Sequence, residues 1–226
     1  VVFPEPVGPV YQTFVNAEKA VIKGAELQTT WQPNDRSNIV LSYTYLDPTF
    51  ASFCPNVPNS NPPVCGAVDI TAPDAEQVPQ DLSGNQIPRT PQHKASIYGY
   101  YGIALGNGGY LYPGGSIAYQ GDYSASPFQQ DRFHIPGRTI AGVTLTYRSP
   151  DDRLDITGSV SNLFEEIYSD NVNVAVIGGS AARTLSYGAD RFYSVVLRYR
   201  LRDPRVGGGV SIGVSCGVDM PPPTWS

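Results

Sequence analysis

The chain has 226 residues, a net charge of -5 and only 15% charged residues, and it holds no basic block of the kind that nucleic-acid-binding proteins carry. It has 15 Tyr, 23 Gly and 21 Pro against a single Met, a composition that favours many strands joined by turns over a helical protein. Because no run of 18 apolar residues occurs, the sequence excludes a transmembrane helix, but it does not exclude a transmembrane barrel.

Strands are predicted wherever apolar and polar side chains alternate with a period of two. A proline-rich connecting segment (residues 1–9) comes first, and a short strand at 11–15 follows it. The remaining predicted strands are 20–31, 38–47, 92–105, 110–120, 138–148, 153–161 and 191–201. Pro113 interrupts one of them and predicts a bulge there, since proline cannot donate to the ladder.

The connections between these strands alternate in length. The segments 32–37, 106–109 and 149–152 are short and turn-like, whereas 48–91, 121–137 and 163–190 are long. In outer-membrane barrels the short turns face the periplasm and the long loops face outside, so this alternation orients every strand. It also places Trp31, Tyr101, Tyr147 and Tyr199 near the periplasmic ends, and Tyr45 and Tyr119 near the outer ends, as two aromatic girdles require.

Each strand has one apolar and one polar face. In the strand 191–201, Arg198 and Arg200 lie opposite a face of Tyr, Val and Leu. A core between two packed sheets would have to bury both arginines, whereas a wide polar lumen keeps them hydrated. The alternation therefore predicts an outward apolar band and these lumen-facing residues: Glu26, Lys94, Asp155, Arg198 and Arg200.

Several segments, in order, carry a family resemblance. They are NAEKA (16–20) leading into IKGAE (22–26), LSYTYLD (41–47), SNLFEEIY (161–168) and RFY (191–193). Over residues 10–201 the chain resembles the C-terminal part of the barrel of TonB-dependent outer-membrane receptors. The resemblance implies an all-β fold, an antiparallel up-and-down transmembrane β-barrel of about eight strands that is the C-terminal portion of a larger barrel.

The same resemblance implies a function. Such a receptor imports a nutrient complex, most often a ferric siderophore, across the outer membrane of a Gram-negative bacterium, with energy that TonB delivers to a plug domain. The expected partners are therefore outer-membrane lipid, the ligand, and the plug domain and TonB, for which residues 1–226 hold no counterpart. No catalytic residue, cofactor, metal site or nucleic-acid partner is expected. Because the chain begins Val1-Val2-Phe3, an export signal is expected upstream.

The long loops hold the candidate ligand contacts. Aromatic side chains and a cation gather in the second loop, a combination that suits a catecholate or an anionic chelate; the residues are Tyr123, Phe128, Arg132, Phe133 and His134. The alternative is that these residues only pack or solvate the loop. Cys54 and Cys65 share the first loop and are predicted to form a disulfide in an exported chain, while Cys216 stands alone. Residues 202–226, rich in Gly and Pro, are predicted to be disordered.

Other readings of the pattern stay open. A stand-alone small outer-membrane barrel with a structural or adhesive role would need its interior filled, and the inward-facing Tyr98, Tyr100, Tyr110 and Tyr112 could help to fill it. A soluble carbohydrate-binding β-sandwich would have to cover the outward apolar band with a second sheet. A hydrolase has less support, because no motif places a serine and an acid beside His93 or His134.

Overall fold

The computed structural model describes residues 19–54, 66–69, 72, 79–177, 180–202 and 209–219. Its strands are β1 (Lys19–Trp31), β2 (Asn38–Ser52), β3 (His93–Tyr100), β4 (Ile103–Ala104), β5 (Tyr110–Gln120), β6 (Tyr123–Ser124), β7 (His134–Ile135), β8 (Arg138–Arg148), β9 (Leu154–Ser161), β10 (Ser169–Ile177), β11 (Ser180–Tyr187), β12 (Phe192–Arg202) and β13 (Gly209–Asp219). A short 3-10 turn at Asp131–Phe133 precedes β7. Within the described residues, no helix has the length and apolar character that a membrane crossing needs.

One antiparallel sheet dominates the fold. Its order is β1-β2-β3-β5-β8-β9-β12-β13, so every spanning strand pairs with the spanning strands next to it in the chain, and β4 extends the line of β3 along β5. Such an order is an up-and-down meander, which confirms the predicted all-β, antiparallel sheet of about eight strands. The sheet is open, with β1 and β13 at its edges. The predicted strand at 11–15 lies outside the described residues.

The register gives the sheet one apolar and one polar face. Across four strands, for example, Leu41 pairs with Ile97, Ile97 with Ile117 and Ile117 with Ala141. On this face large apolar side chains stay exposed, among them Leu27, Leu41, Ile97, Ile117, Leu145, Val195 and Leu197. The opposite face carries hydroxyl pairs between strands, such as Ser159 with Ser194 at 2.6 Å between their Oγ atoms. An exposed apolar band of this extent matches the lipid-facing surface of a membrane barrel.

Aromatic side chains mark both ends of the apolar face. Trp31, Tyr101 and Tyr199 are exposed near the short turns, and Tyr45 and Tyr119 are exposed near the long loops. At the loop end, the hydroxyl of Tyr43 also lies 2.9 Å from Nδ1 of His93. Rings with a polar tip at these two levels match the interfaces of a bilayer.

Pro113 does not produce the predicted bulge. Tyr100 pairs with Gly114 and Ile103 pairs with Leu111 in one unbroken alignment. The N–H of Tyr101 still donates to the Pro113 carbonyl at 3.0 Å, but Pro113 has no N–H to donate in return. The missing donor therefore interrupts the ladder between β3 and β4 without shifting the register.

The prediction that 202–226 is disordered is wrong for residues 209–219. These residues form β13, which pairs with β12 along its whole length, from Arg202 opposite Gly209 to Phe192 opposite Asp219. The reason is the alternation of Val210, Ile212 and Val214, which continues the period-two pattern and pairs with Leu201, Tyr199 and Leu197. The short segments 203–208 and 220–226 lie outside the described residues.

The third long loop, predicted as 163–190, also contains regular structure. Its β10 and β11 pair as a separate antiparallel hairpin, with Val172 opposite Leu185 and Val174 opposite Arg183. Val172 is buried. An alternating segment with a surface to pack against forms strands, and the second long loop supplies that surface here.

Candidate functional site

An ion-pair cluster sits on the polar face near the short turns. The Asp155 side chain is 7% exposed, and both of its oxygens are bound: Nε of Arg148 lies 2.9 Å from Oδ1, and Nη2 of Arg200 lies 2.5 Å from Oδ2. Arg200 also donates from Nη1 to the backbone carbonyl of Asp152 at 2.6 Å. A carboxylate held between two guanidinium groups joins β8, β9 and β12 by charge-assisted hydrogen bonds.

Arg198 differs from Arg200 although both share this face. It lies directly opposite Asp155 in the register, but its side chain is exposed and forms no ion pair with any described residue. Asp155 is saturated by its two other partners, so Arg198 remains an available cation on the polar face.

Four tyrosines form a second cluster on the same face. The rings of Tyr98, Tyr100, Tyr112 and Tyr110 follow one another with centroids 6.1 to 6.4 Å apart. The guanidinium of Arg36 lies 4.6 Å from the Tyr110 ring centroid, and that of Arg148 lies 5.4 Å from the Tyr112 ring centroid. The tyrosines line an open cavity of about 510 Å³ beside the short turns rather than a filled interior. The cavity therefore offers phenol hydroxyls and guanidinium groups to whatever occupies the lumen.

Nearer the long loops the polar face carries a different set of side chains. Thr44, Lys94, Gln120 and Arg138 are successive partners across β2, β3, β5 and β8, and they line a cavity of about 400 Å³. Glu26 of β1 extends this row as the partner of Thr44. Lys94 is exposed and has no ion pair among the described residues. Arg138, in contrast, is bound to Asp170 of the hairpin at 2.5 Å, so Lys94 is the cation of this row that remains available to the space below the loops.

The three long loops pack together through two small apolar cores. Phe50, Phe53 and Leu82 form the first, with Phe128 of the second loop against it. Tyr123 and Ile135 form the second, together with Val172 and the partly buried Leu185 of the hairpin. Since each core draws on two loops, the loops form one cap over the outer end of the sheet.

Polar contacts add to this cap. The backbone N–H of Arg89 donates to the Ser124 carbonyl at 2.8 Å, and its guanidinium donates to Oδ1 of Asn171 at 2.9 Å, so one residue of the first loop joins the other two. Arg183 of the hairpin donates to the His134 carbonyl at 3.0 Å. Within the first loop, hydrogen bonds from Ser83 lower the pKa of the Asp81 carboxyl, which keeps it ionised in the turn that holds Phe53.

The five predicted ligand residues lie in this cap. Tyr123 and Phe133 are buried, and Phe128 packs against the first core. Arg132 pairs with Asp69. His134 has a half-exposed side chain, whose Nδ1 is 4.0 Å from a carboxylate oxygen of Asp122. Tyr123, Phe128 and Arg132 each contact another long loop, and the predicted contact of the five residues with a ligand stays a prediction.

The five predicted lumen-facing residues all lie on the polar face, but they separate into two groups. Glu26 and Lys94 belong to the outer row, whereas Asp155 and Arg200 belong to the ion-pair cluster near the short turns and Arg198 lies beside that cluster. The predicted list lacks Arg148 and Arg138, although alternation along 138–148 already placed both on the polar face. Cys54 is disulfide-bonded, its predicted partner Cys65 lies outside the described residues, and Cys216 is free and exposed.

Comparison with known proteins identifies the sheet. The family described as "TonB dependent receptor-like, beta-barrel" matches residues 1–163. The chain belongs to this family. A solved structure, the siderophore receptor PiuA from Acinetobacter baumannii, superimposes with a TM-score of 0.55 and 17% identity over 87% of this chain. No curated protein matches the sequence.

TonB-dependent receptors are transport proteins of the Gram-negative outer membrane, so the open sheet is part of a receptor barrel. The chain spans 22% of the length of PiuA, as expected for one portion of a larger barrel. The family resemblance and the fold class predicted from the sequence are both confirmed by these matches. At 17% identity, the likeness to PiuA concerns the fold alone.

A glycine at the base of the hairpin offers a test of the cap. A Cβ at Gly188 would overlap the Tyr168 ring, whose face stacks 4.4 Å from the Arg138 guanidinium. We expect Gly188→Ala to displace this ring and to destabilise the hairpin by about 1 to 3 kcal/mol, as overpacking does. Hydrogen exchange of the β10 and β11 amides measures the change. Gly106→Ala is the control, because its Cβ would meet nothing within 4 Å.

Proposed function

We propose that this chain is the C-terminal barrel portion of an outer-membrane receptor that imports an anionic nutrient complex, most simply a ferric siderophore. Family membership supports transport. The observation that supports the choice of ligand class is Lys94 of the outer row, an exposed cation without an ion pair among the described residues, which lines a cavity directly below the three-loop cap. An unpaired ammonium group on a water-filled wall favours ligands that bear carboxylate or catecholate oxygens.

The two levels of the polar face would serve different partners. The outer row would meet the ligand after it passes the cap, while the tyrosine cluster and Arg198, near the periplasmic turns, would meet the plug domain. TonB would act on that plug from the periplasm. In this scheme the chain holds no catalytic residue and needs no cofactor, because its work is binding and passage.

The cap residues would divide the task of admitting the ligand. Tyr123 and Phe128 would hold the closed arrangement of the loops, together with the ion pair between Arg132 and Asp69 of the first loop. The buried Phe133 would support the second loop, and His134 would be available for direct contact with the ligand. The closed cap covers these aromatic side chains. Movement of the second loop would therefore expose them to an arriving ligand.

Lys94→Gln tests the ligand class. The variant removes the exposed cation of the outer row and keeps a polar side chain of similar length. Since hydrogen bonds to charged groups contribute about 1.5 to 3 kcal/mol, we expect the affinity for a ferric siderophore to fall about tenfold or more in the receptor that carries this segment. Isothermal titration of the detergent-purified receptor measures it.

Lys23→Gln is the matched control. Lys23 is also exposed, but it lies on the lipid-facing side of β1, near the outer rim. Equal affinities in wild type, Lys94→Gln and Lys23→Gln would remove the outer row from the ligand path. Weakened binding of uncharged nutrients to the same degree would contradict an anionic ligand.

A further inference from the structure

Arg138 joins the outer row to the hairpin of the third loop. It is the first residue of β8 and lines the cavity below the cap, in the same row as Lys94. Its Nη1 donates to Oδ1 of Asp170 at 2.5 Å and to the backbone carbonyl of Ser169 at 3.4 Å, and its guanidinium lies over the Tyr168 ring. The base of the hairpin is therefore bound to a cation of the cavity wall.

The ion pair between Arg138 and Asp170 differs from the cluster around Asp155. The Asp170 side chain is 49% exposed and has no second ion-pair partner among the described residues, whereas the Asp155 side chain is 7% exposed and has two partners. Ion pairs that water reaches are weak, because solvent screens their attraction. An external anion can therefore replace Asp170 far more easily than it can replace Asp155.

The position of Asp170 makes this exchange relevant to the cavity. Lys94 and Arg138 lie on β3 and β8 with β5 between them, so their Cα atoms are about 10 Å apart at about 4.8 Å per strand. A chelate with several anionic oxygens can span that distance and contact both cations. In the closed arrangement, however, the Asp170 carboxylate already binds the Arg138 guanidinium. The hairpin thus contains the same chemical group that an anionic ligand would bring.

We propose that Asp170 is an internal competitor for the anion-binding cavity, which masks Arg138 until a carboxylate or catecholate oxygen of the ligand replaces it. The inference rests on the proposed function, because it needs an anionic ligand at the outer row. The exchange adds a second cation to the site and frees the base of the hairpin, so that ligand binding and release of the hairpin are linked. An uncharged nutrient leaves Asp170 in place, so the pair also selects for charge.

The hairpin keeps other contacts when this ion pair is lost. Val172 remains buried in the second apolar core, and the Arg89 guanidinium still donates to Oδ1 of Asn171 at 2.9 Å. We therefore expect Asp170→Asn to unmask Arg138 while the hairpin stays folded. Unchanged hydrogen exchange of the β10 and β11 amides checks that it does.

Labelling of arginines with phenylglyoxal tests the masking and needs no siderophore. In the detergent-purified receptor that carries this segment, we expect Asp170→Asn to raise the labelling rate of Arg138 several-fold, read by peptide mass spectrometry, and citrate to protect the unmasked guanidinium. Asp122→Asn is the matched control, because Asp122 is an exposed acid of the second loop whose carboxylate lies beside His134. Equal labelling in wild type and Asp170→Asn, the same increase in Asp122→Asn, or no protection by citrate would overturn the proposal.

Isothermal titration with a ferric tricatecholate tests the link to the ligand. We expect Asp170→Asn to bind it up to about fivefold more tightly, and we expect this gain to vanish in the Arg138→Gln background. A gain that persists without Arg138 would overturn the masking. If Asp170→Asn binds like wild type while Lys94→Gln binds more weakly, the inference fails and the proposed function stands. If Lys94→Gln also binds like wild type, both fail.

Discussion

Asp155→Asn is expected to lower the free energy of unfolding by about 3 kcal/mol. The substitution keeps the shape of the side chain but leaves Arg148 and Arg200 without the carboxylate that both contact. Breaking a fully buried ion pair costs about 3 to 5 kcal/mol. The lower part of this range applies, because the two arginine side chains are about a third exposed and the lumen solvates part of their charge.

Urea titration in detergent micelles, followed by circular dichroism, measures this loss. Glu26→Gln is the matched control: Glu26 lies on the same polar face, is exposed and has no ion pair among the described residues. We expect the control to change stability by less than about 0.5 kcal/mol. Similar losses in the two variants would mean that general charge on the polar face, and not the three-residue cluster, stabilises the sheet.

The strands could be predicted from the sequence because each one has its own alternation of apolar and polar residues. In β5 and β8 the alternation begins and ends at the residues where the structure places the strand ends, 110–120 and 138–148. The face of each residue follows at once, since a shift of one position would turn Arg198 and Asp155 toward lipid. The period-two alternation and the cost of a charge that faces lipid therefore predict the bounds of these strands and the face on which each residue lies.

The cap could not be predicted in the same way. Whether Tyr123 contacts a ligand or packs in a core depends on where Val172 of another loop lies, and no local pattern encodes that distance. The partner of Asp155 shows an intermediate case. Alternation places Arg148 on the polar face. Identifying Arg148, and not Arg198, as a partner of Asp155 requires the register between β8, β9 and β12.

The composition of β13 disfavours a strand, although its apolar residues alternate with a period of two. Glycine and serine alternate with Val210, Ile212 and Val214, and glycine lowers the intrinsic preference for a strand. Pairing with β12 offsets that loss, since the partner supplies hydrogen bonds along eleven residue pairs. A segment with a low intrinsic preference for a strand thus forms one because it pairs with β12.

Ile117→Arg is expected to destabilise the protein in a bilayer, whereas Ala118→Arg is expected to leave its stability nearly unchanged. The two residues are neighbours on β5, both are exposed, and they lie on opposite faces of the sheet. A lipid-facing arginine costs about 2 to 4 kcal/mol at the midplane and about 0 to 1 near the interfaces. Ile117 is close to the centre of β5, so we expect a loss near 2 kcal/mol.

The measurement is reversible unfolding in phospholipid vesicles, with the fraction folded read from the band that shifts on unheated gels. Ala118 borders the cavity of the outer row, where a long cation is solvated and has room. The pair also separates the membrane barrel from a water-soluble sandwich. In a sandwich the face of Ile117 would be a core, and an arginine there would be as damaging in buffer as in lipid, whereas for the barrel the penalty requires a hydrocarbon layer outside the sheet.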